Sequence, residues 1–172
     1  QGAIAITGLA GRFPGASTMA EFWDAICQGR DLIRPHLADE LADNFTDAQR
    51  ASDAYVPVRP AIADADMFDA SFFGMNPREA AQTDPQFRVF LECCWQALED
   101  AGLDPQRAPG PIGVFGGASM STYFLNNILT DRADIEDFVS TYQLGDYQKF
   151  MGALSDTLAT RVAFRLGLTG PA

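Results

Sequence analysis

The chain has 172 residues, with 12 basic against 23 acidic side chains and a formal net charge of -11. At 47% hydrophobic and 20% charged it has a globular composition, not a disordered one, and its acidity argues against a nucleic-acid-binding surface. No apolar run approaches the ~20 residues of a bilayer-spanning helix, and no basic-then-apolar leader is present, so no membrane partner is expected.

The chain opens on Gln1-Gly2-Ala3 without an initiator Met and reads as an excised segment of something longer. Cys27, Cys93 and Cys94 are odd in number and lack C-x-x-C spacing, which supports neither a disulfide framework nor a zinc site. Reduced thiols in a cytoplasmic protein are the expectation.

In chain order, residues 3–7 (Ala-Ile-Ala-Ile-Thr) form an apolar, partly β-branched run stopped by Gly8, the pattern of a buried strand. Residues 8–16 carry three glycines and a proline and read as a structured loop. Thr18 and Glu21 have capping-box spacing ahead of Phe22, Trp23, Ile26 and Cys27, and Gly29 can close that helix. Residues 30–63 are weakly patterned, with a short helix expected somewhere in 36–45 and extended or irregular backbone over 52–60. Phe68, Phe72 and Phe73 cluster before Gly74. Asn76-Pro77 and Asp84-Pro85 each set a capping residue before a proline at the first helical position.

The second of these opens the strongest helical pattern in the chain. Phe87, Phe90, Leu91, Cys94, Leu98 and Ala101 form one stripe, Val89, Cys93 and Ala97 a second, and Gly102 the stop. Two stripes predict burial over most of the helix circumference. Residues 112–117 (Ile-Gly-Val-Phe-Gly-Gly) read as another buried strand, residues 119–149 give no clear pattern, and a last helix is expected over 155–166, ended by Gly167. Two strands and three good helices do not complete an α/β layer structure.

Candidate sites weigh against bland alternatives. The loop Gly8, Gly11, Gly15 follows a strand, but it lacks G-x-G-x-x-G spacing, Pro14 interrupts it, and no G-K-[ST] is present, so a structural turn is favoured over phosphate binding. Gly117-Ala118-Ser119-Met120-Ser121 resembles a nucleophile elbow without its second glycine, and His36, the only histidine, would have to serve a triad. Asp64, Asp66 and Asp69 lack the glycine and terminal glutamate of a calcium loop and read as helix-start carboxylates. Cys93 and Cys94 lie on apolar stripes, where inert thiols are the default. Asp84 and Arg88 read as an i,i+4 pair. These residues assemble no catalytic constellation and imply no cofactor or metal.

Taken together, however, the motifs resemble the β-ketoacyl synthase (ketosynthase) domains of modular polyketide synthases, members of the thiolase-like superfamily. Ile4-Ala5-Ile6-Thr7-Gly8 through Arg12-Phe13-Pro14-Gly15-Ala16 resembles the opening of such domains. Residues 68–80 are similar to F-D-x-x-F-F-x-[IM]-x-P-R-E-A. Asp84-Pro85-Gln86-Phe87-Arg88, Leu91-Glu92 and residues 97–102 are similar to D-P-Q-x-R, L-E and A-L-E-D-A-G. Gly113-Val114-Phe115-Gly116-Gly117 is similar to G-V-F-x-G, and residues 158–171 to the last segment before the active site. Five motifs in order across the whole chain make the resemblance specific. The departures are Gly11 where many relatives have Cys, Phe87 in place of Gln, Arg59-Pro60-Ala61-Ile62 in place of G-G-F-[IL], and Phe164 in place of Tyr. Residues 158–161 lean toward relatives in hybrid or acyltransferase-less assembly lines.

The resemblance implies an α/β fold, an incomplete thiolase-like structure representing the N-terminal part of an α-β-α-β-α layered ketosynthase. It also implies decarboxylative condensation of an acyl thioester with a malonyl-type unit, carried out by a Cys-His-His set. None of that set is expected here, because the family's Thr-Ala-Cys segment follows shortly after the Gly-Pro at 170–171. His36 and the three cysteines match no catalytic position. Residues 1–172 are thus expected to be one N-terminal portion of a ketosynthase domain. The implied partners are the remainder of that domain, a second ketosynthase copy in a homodimer, and an acyl carrier protein with its phosphopantetheine arm. The rival reading is a non-catalytic ketosynthase-like scaffold or dimerisation module.

Overall fold

The computed structural model describes residues 2–35, 46–58, 60–142 and 147–172. It divides into two units: Gly11–Asp64, and Gln1–Ala10 together with Ala65–Ala172. His36, the short helix expected in 36–45, and Arg59 lie outside the described residues.

In the Gly11–Asp64 unit the glycine loop is a tight turn. Phe13 and Ala16 exchange backbone hydrogen bonds at 2.9 and 3.1 Å around Pro14 and Gly15, and Gly15 takes a φ of 69°. That left-handed value is one that glycine adopts without steric cost. Helix α1 (Met19–Cys27) starts on Thr18, whose hydroxyl accepts from the Glu21 amide at 3.2 Å, while the Glu21 carboxylate accepts from the Ser17 amide. It ends in a Schellman arrangement, with Gly29 bonded to Ile26 and Arg30 to Ala25. Phe22 stacks on Phe13 with ring centroids 3.8 Å apart. A single turn, α2 (Asp47–Arg50), carries a full capping box between Thr46 and Gln49.

The other unit holds the main core. Helix α3 (Pro77–Gln82) is capped by Asn76, and α4 (Pro85–Asp100) by Asp84, each with proline in the first turn as the sequence predicts. Gly102 closes α4 with its amide on Glu99 and the Leu103 amide on Leu98. Further on come α5 (Arg132–Thr141), α6 (Tyr147–Met151) and α7 (Leu158–Leu166). The last helix is shorter than the expected 155–166, because Ser155–Thr157 winds as a 3-10 turn. Helices α4 and α7 pack on each other, with Leu91 and Val162 fully buried at the centre and Phe73, Met75, Phe87 and Leu166 around them. Burying a side chain of this size is worth about 1.5–3 kcal/mol.

Two expectations are corrected. Residues 3–7 and 112–117 are extended, but among the described residues neither joins a strand ladder. The second segment pairs instead with the far end of the chain: Gly170 donates to the Ile112 carbonyl at 2.9 Å and Val114 to the Pro171 carbonyl at 2.8 Å. Ile4, Ile6 and Phe115 are 97%, 79% and 85% exposed. Local sequence favours an extended backbone, but a ladder needs a partner segment. Helix α4 is buried at Phe87, Arg88 and Leu91, and both apolar stripes, Phe90, Cys94 and Leu98 and Val89, Cys93 and Ala97, are half-buried; Gln86, Gln96, Glu99 and Asp100 are exposed.

Candidate functional site

Along α4 lies an apolar groove of about 330 Å³. Phe90, Cys94 and Leu98 form its floor, and the extended segments at Thr7–Gly8 and Ile112–Phe115 line it. Gly8 is there because nothing larger fits. An ideal Cβ on Gly8 would come within 2.8 Å of the Ala101 amide nitrogen and closer still to the Ala97 carbonyl oxygen. The next amide, Leu9, donates to the Asp100 carboxylate at 2.9 Å. The start of the glycine loop is therefore a backbone-to-helix packing point, with an acidic residue occupying the amide that a phosphate would need. Cys94 is the titratable group in the groove lining. Burial, and secondarily the neighbouring Cys93, pushes its thiol up to about 11, so it is protonated and a poor nucleophile at neutral pH.

The N-terminus of α4 is tied down as tightly. Asp84 (6% exposed) accepts from the Gln86 amide at 2.7 Å and, through its other oxygen, from the Ser121 hydroxyl in a short contact. The Ser121 oxygen in turn accepts from the Tyr123 amide at 3.1 Å. The Gln86 carboxamide accepts from the Ser119 amide at 3.2 Å, and the Tyr123 hydroxyl donates to the Ala81 carbonyl at 2.7 Å. The space left between these groups is about 10 Å³, the lower limit for one water. The Ser119–Ser121 segment is thus surface-exposed at Ser119 and Met120 yet tied at both serines to the start of α4. The amide of Ser119 is already committed, and His36 lies outside the described residues.

The side chains of Asp84 and Arg88 do not form the expected i,i+4 pair. Both are buried, and they take different partners: Asp84 the cap and Ser121, Arg88 (8% exposed) the Asp66 carbonyl at 3.2 Å. The three aspartates of the calcium pattern also take separate roles. Asp64 sits at a φ of 54° in a turn, and Asp66 supplies its backbone carbonyl to Arg88. The Asp69 carboxylate accepts from the Phe72 amide at 3.0 Å and the Ser71 hydroxyl at 2.8 Å. Those bonds, the Phe72 amide first, hold its carboxyl below the usual range. Asp69 caps a turn at 70–74 rather than a helix. Among the described residues no group of three or more His, Cys, Asp or Glu converges as a metal site, and no helix is long and apolar enough to cross a membrane.

One cluster escapes sequence reasoning altogether. On α7, Arg161 lies 4.0 Å over the Phe87 ring and donates to the Thr83 hydroxyl at 3.2 Å, while Arg165 donates to the Gly74 carbonyl at 3.0 Å and pairs with Glu79. Burial lowers the Arg161 pKa, an effect that Glu79 opposes. Contacts 78 and 91 residues apart leave no local signal beyond the arginines' i,i+4 spacing.

The family described as "Beta-ketoacyl synthase, N-terminal domain" matches residues 1–172. A component of the phenolphthiocerol/phthiocerol polyketide synthase of Mycobacterium tuberculosis is 41% identical over 172 residues, which is 99% of this chain and 12% of that protein. Polyketide synthase PksN of Bacillus subtilis is 34% identical over 169 residues, covering 98% of this chain and 3% of that one. Ketosynthase twelve of the bacillaene polyketide synthase from Bacillus amyloliquefaciens superposes with a TM-score of 0.75 at 30% identity, over 97% of this chain and 28% of its own. An oxazolomycin ketosynthase domain from Streptomyces albus gives 0.74 at 29%, with the same coverage. The extended segments and helices described above thus follow the path of the N-terminal part of thiolase-like ketosynthases. The chain spans only a small share of each relative, and it belongs to the β-ketoacyl synthase family through that family's N-terminal domain.

Proposed function

We propose that residues 1–172 are one N-terminal portion of a polyketide synthase ketosynthase and serve as the scaffold against which the catalytic remainder is laid. The observation that carries this is the agreement of a family match over residues 1–172 with two extended segments, in no strand ladder among the described residues, bordering an apolar groove along α4. In the whole domain, a cysteine thiolate beyond residue 172 attacks the acyl thioester of a carrier protein. A new thioester forms and the carrier thiol leaves. A malonyl-type thioester on an acyl carrier protein then loses CO2. Its carbanion attacks the enzyme-bound acyl carbonyl, a C–C bond forms, and the cysteine thiolate is released. The partners in this reading are the rest of the ketosynthase domain, a second copy in a homodimer, and the carrier's phosphopantetheine arm. The compartment is the cytoplasm. The described part of this chain binds and orients; it supplies no nucleophile, metal or cofactor site.

The test is acylation. The complete domain and residues 1–172 alone are each incubated with an acyl-carrier thioester and read by mass spectrometry. The expected result is stoichiometric acylation of one cysteine beyond position 172 in the complete domain and none on Cys27, Cys93 or Cys94. Site-specific acylation of one of those three, or a complete domain that takes no acyl group, overturns the reading; the second outcome favours a non-catalytic scaffold.

A further inference from the structure

Helix α7 carries two arginines one turn apart, and both reach across to residues 74–83. Arg161 stacks on Phe87, donates to the Thr83 hydroxyl at 3.2 Å and to the Met151 carbonyl at 3.4 Å. Arg165 donates to the Gly74 carbonyl at 3.0 Å and pairs with Glu79. Thr83, itself buried, donates its hydroxyl hydrogen to the Glu79 carbonyl at 2.8 Å. The side chains of Arg165 and Glu79 are each 19% exposed.

An ion pair so far out of water is a poor source of stability, because desolvation cancels much of the attraction. Its contribution is geometric. The apolar stripe of Leu158, Val162 and Leu166 would tolerate a small slide or rotation of α7. Two planar guanidiniums engaging fixed acceptors on three separate segments do not. Beyond α7, Gly167 turns the chain with a φ of 65°, Leu168 bonds back to Ala163 at 2.8 Å, and Gly170 and Pro171 are laid against Ile112 and Val114. The position of α7 therefore sets where this last segment meets the extended one.

We propose that Arg161 and Arg165 are positioning residues for condensation: by locking α7 they fix the line along which the chain after Pro171 carries the nucleophile segment into place. The proposal rests on the ketosynthase reading above. A displacement of about 1 Å, remote from the chemistry, is enough to cost about 100-fold in rate.

The experiment uses the complete ketosynthase domain with Arg161→Met, Arg161→Lys and Thr83→Val. The expected result for Arg161→Met is a kcat about 10- to 100-fold lower, with KM for the carrier-bound extender unit changed by no more than about twofold. The pH profile of nucleophile alkylation should move upward, and Arg161→Lys should recover only part of kcat, since an ammonium keeps the charge but not the fork. Should Arg161→Met fail to fold, Thr83→Val removes one acceptor at nearly constant shape and carries the same readouts. Folded variants with unchanged kcat and unchanged pH profile, whatever their melting temperature, overturn the proposal and leave the ketosynthase reading standing. A wild-type domain that takes no acyl group overturns both.

Discussion

Replacing Gly8 by alanine probes the contact that holds the first extended segment to α4. In the wild-type structure an added Cβ meets the Ala101 Cβ at 2.9 Å and the Ala101 amide nitrogen at 2.8 Å. Carbon atoms prefer about 3.5–4.0 Å, so the segment and the helix must part by roughly 0.6–1 Å. The obstacle is mostly helix backbone, which cannot rotate away as a flexible side chain would. Overpacking of this kind costs about 1–3 kcal/mol, and the displacement also lengthens the bond from the Leu9 amide to Asp100, now 2.9 Å. Hydrogen exchange in the complete domain reads the effect directly. At 1.4 kcal/mol per factor of ten, amides at 8–10 and 97–103 should exchange about 5- to 150-fold faster through local opening. Gly2→Ala is the control, since nothing lies within 4 Å of its new Cβ. Unchanged exchange in Gly8→Ala would show that the close approach is not held in solution. A nucleotide-dependent rise in the wild-type melting temperature that Gly8→Ala abolishes would restore the phosphate reading of this loop.

Leu91→Ala, at the fully buried centre of α4, should destabilise the complete domain by about 2–5 kcal/mol in urea denaturation, the range for emptying a leucine-sized core site; a loss below about 0.5 kcal/mol would mean that α4 and α7 do not pack as described. Cys94 should react slowly with a thiol reagent in the native state at neutral pH and fast in denaturant. Its native pKa of about 11 lies above the 9.0 of an unperturbed thiol, so the native state holds the proton more tightly. That contribution is fully present below pH 9 and is lost as pH rises from about 9 through 11; rapid native labelling at pH 7 would contradict it.

What is legible in the sequence depends on how local each cause is. Caps act within four residues, so Thr18 with Glu21, Asn76-Pro77, Asp84-Pro85 and the glycines at 29, 102 and 167 place the ends of α1, α3, α4 and α7 within a turn or so. Helix α5 escapes a sequence reading although Asp131 and Asp134 form a reciprocal capping box; the usual signature is Ser or Thr followed by Glu or Gln, and acidic residues interrupt the apolar pattern of Ile135, Phe138 and Val139. The rest is non-local. Spacing points Asp84 toward Arg88, four residues on, while its partner Ser121 is 37 residues away. The strand pattern of residues 3–7 states a preference for extended backbone and says nothing of which segment pairs with it. The family resemblance reaches further because it rests on five motifs held in order, information that no single window contains.

The same distinction explains the chemistry of the site. Several polar groups that sequence spacing singles out are engaged in structure: Ser121 by Asp84, the Ser119 amide by Gln86, the Leu9 amide by Asp100, and Asp69 by its own turn. Ser119 and Ser121, already hydrogen-bonded beside a space of about 10 Å³, cannot also bind a substrate without giving up a bond worth about 0.5–1.5 kcal/mol, or more where an ion is involved. Apolar surface is distributed in the opposite way, left open along α4 and on Ile4, Ile6 and Phe115. Satisfied polar groups and unsatisfied apolar ones together describe a surface suited to receiving more protein rather than a small polar ligand.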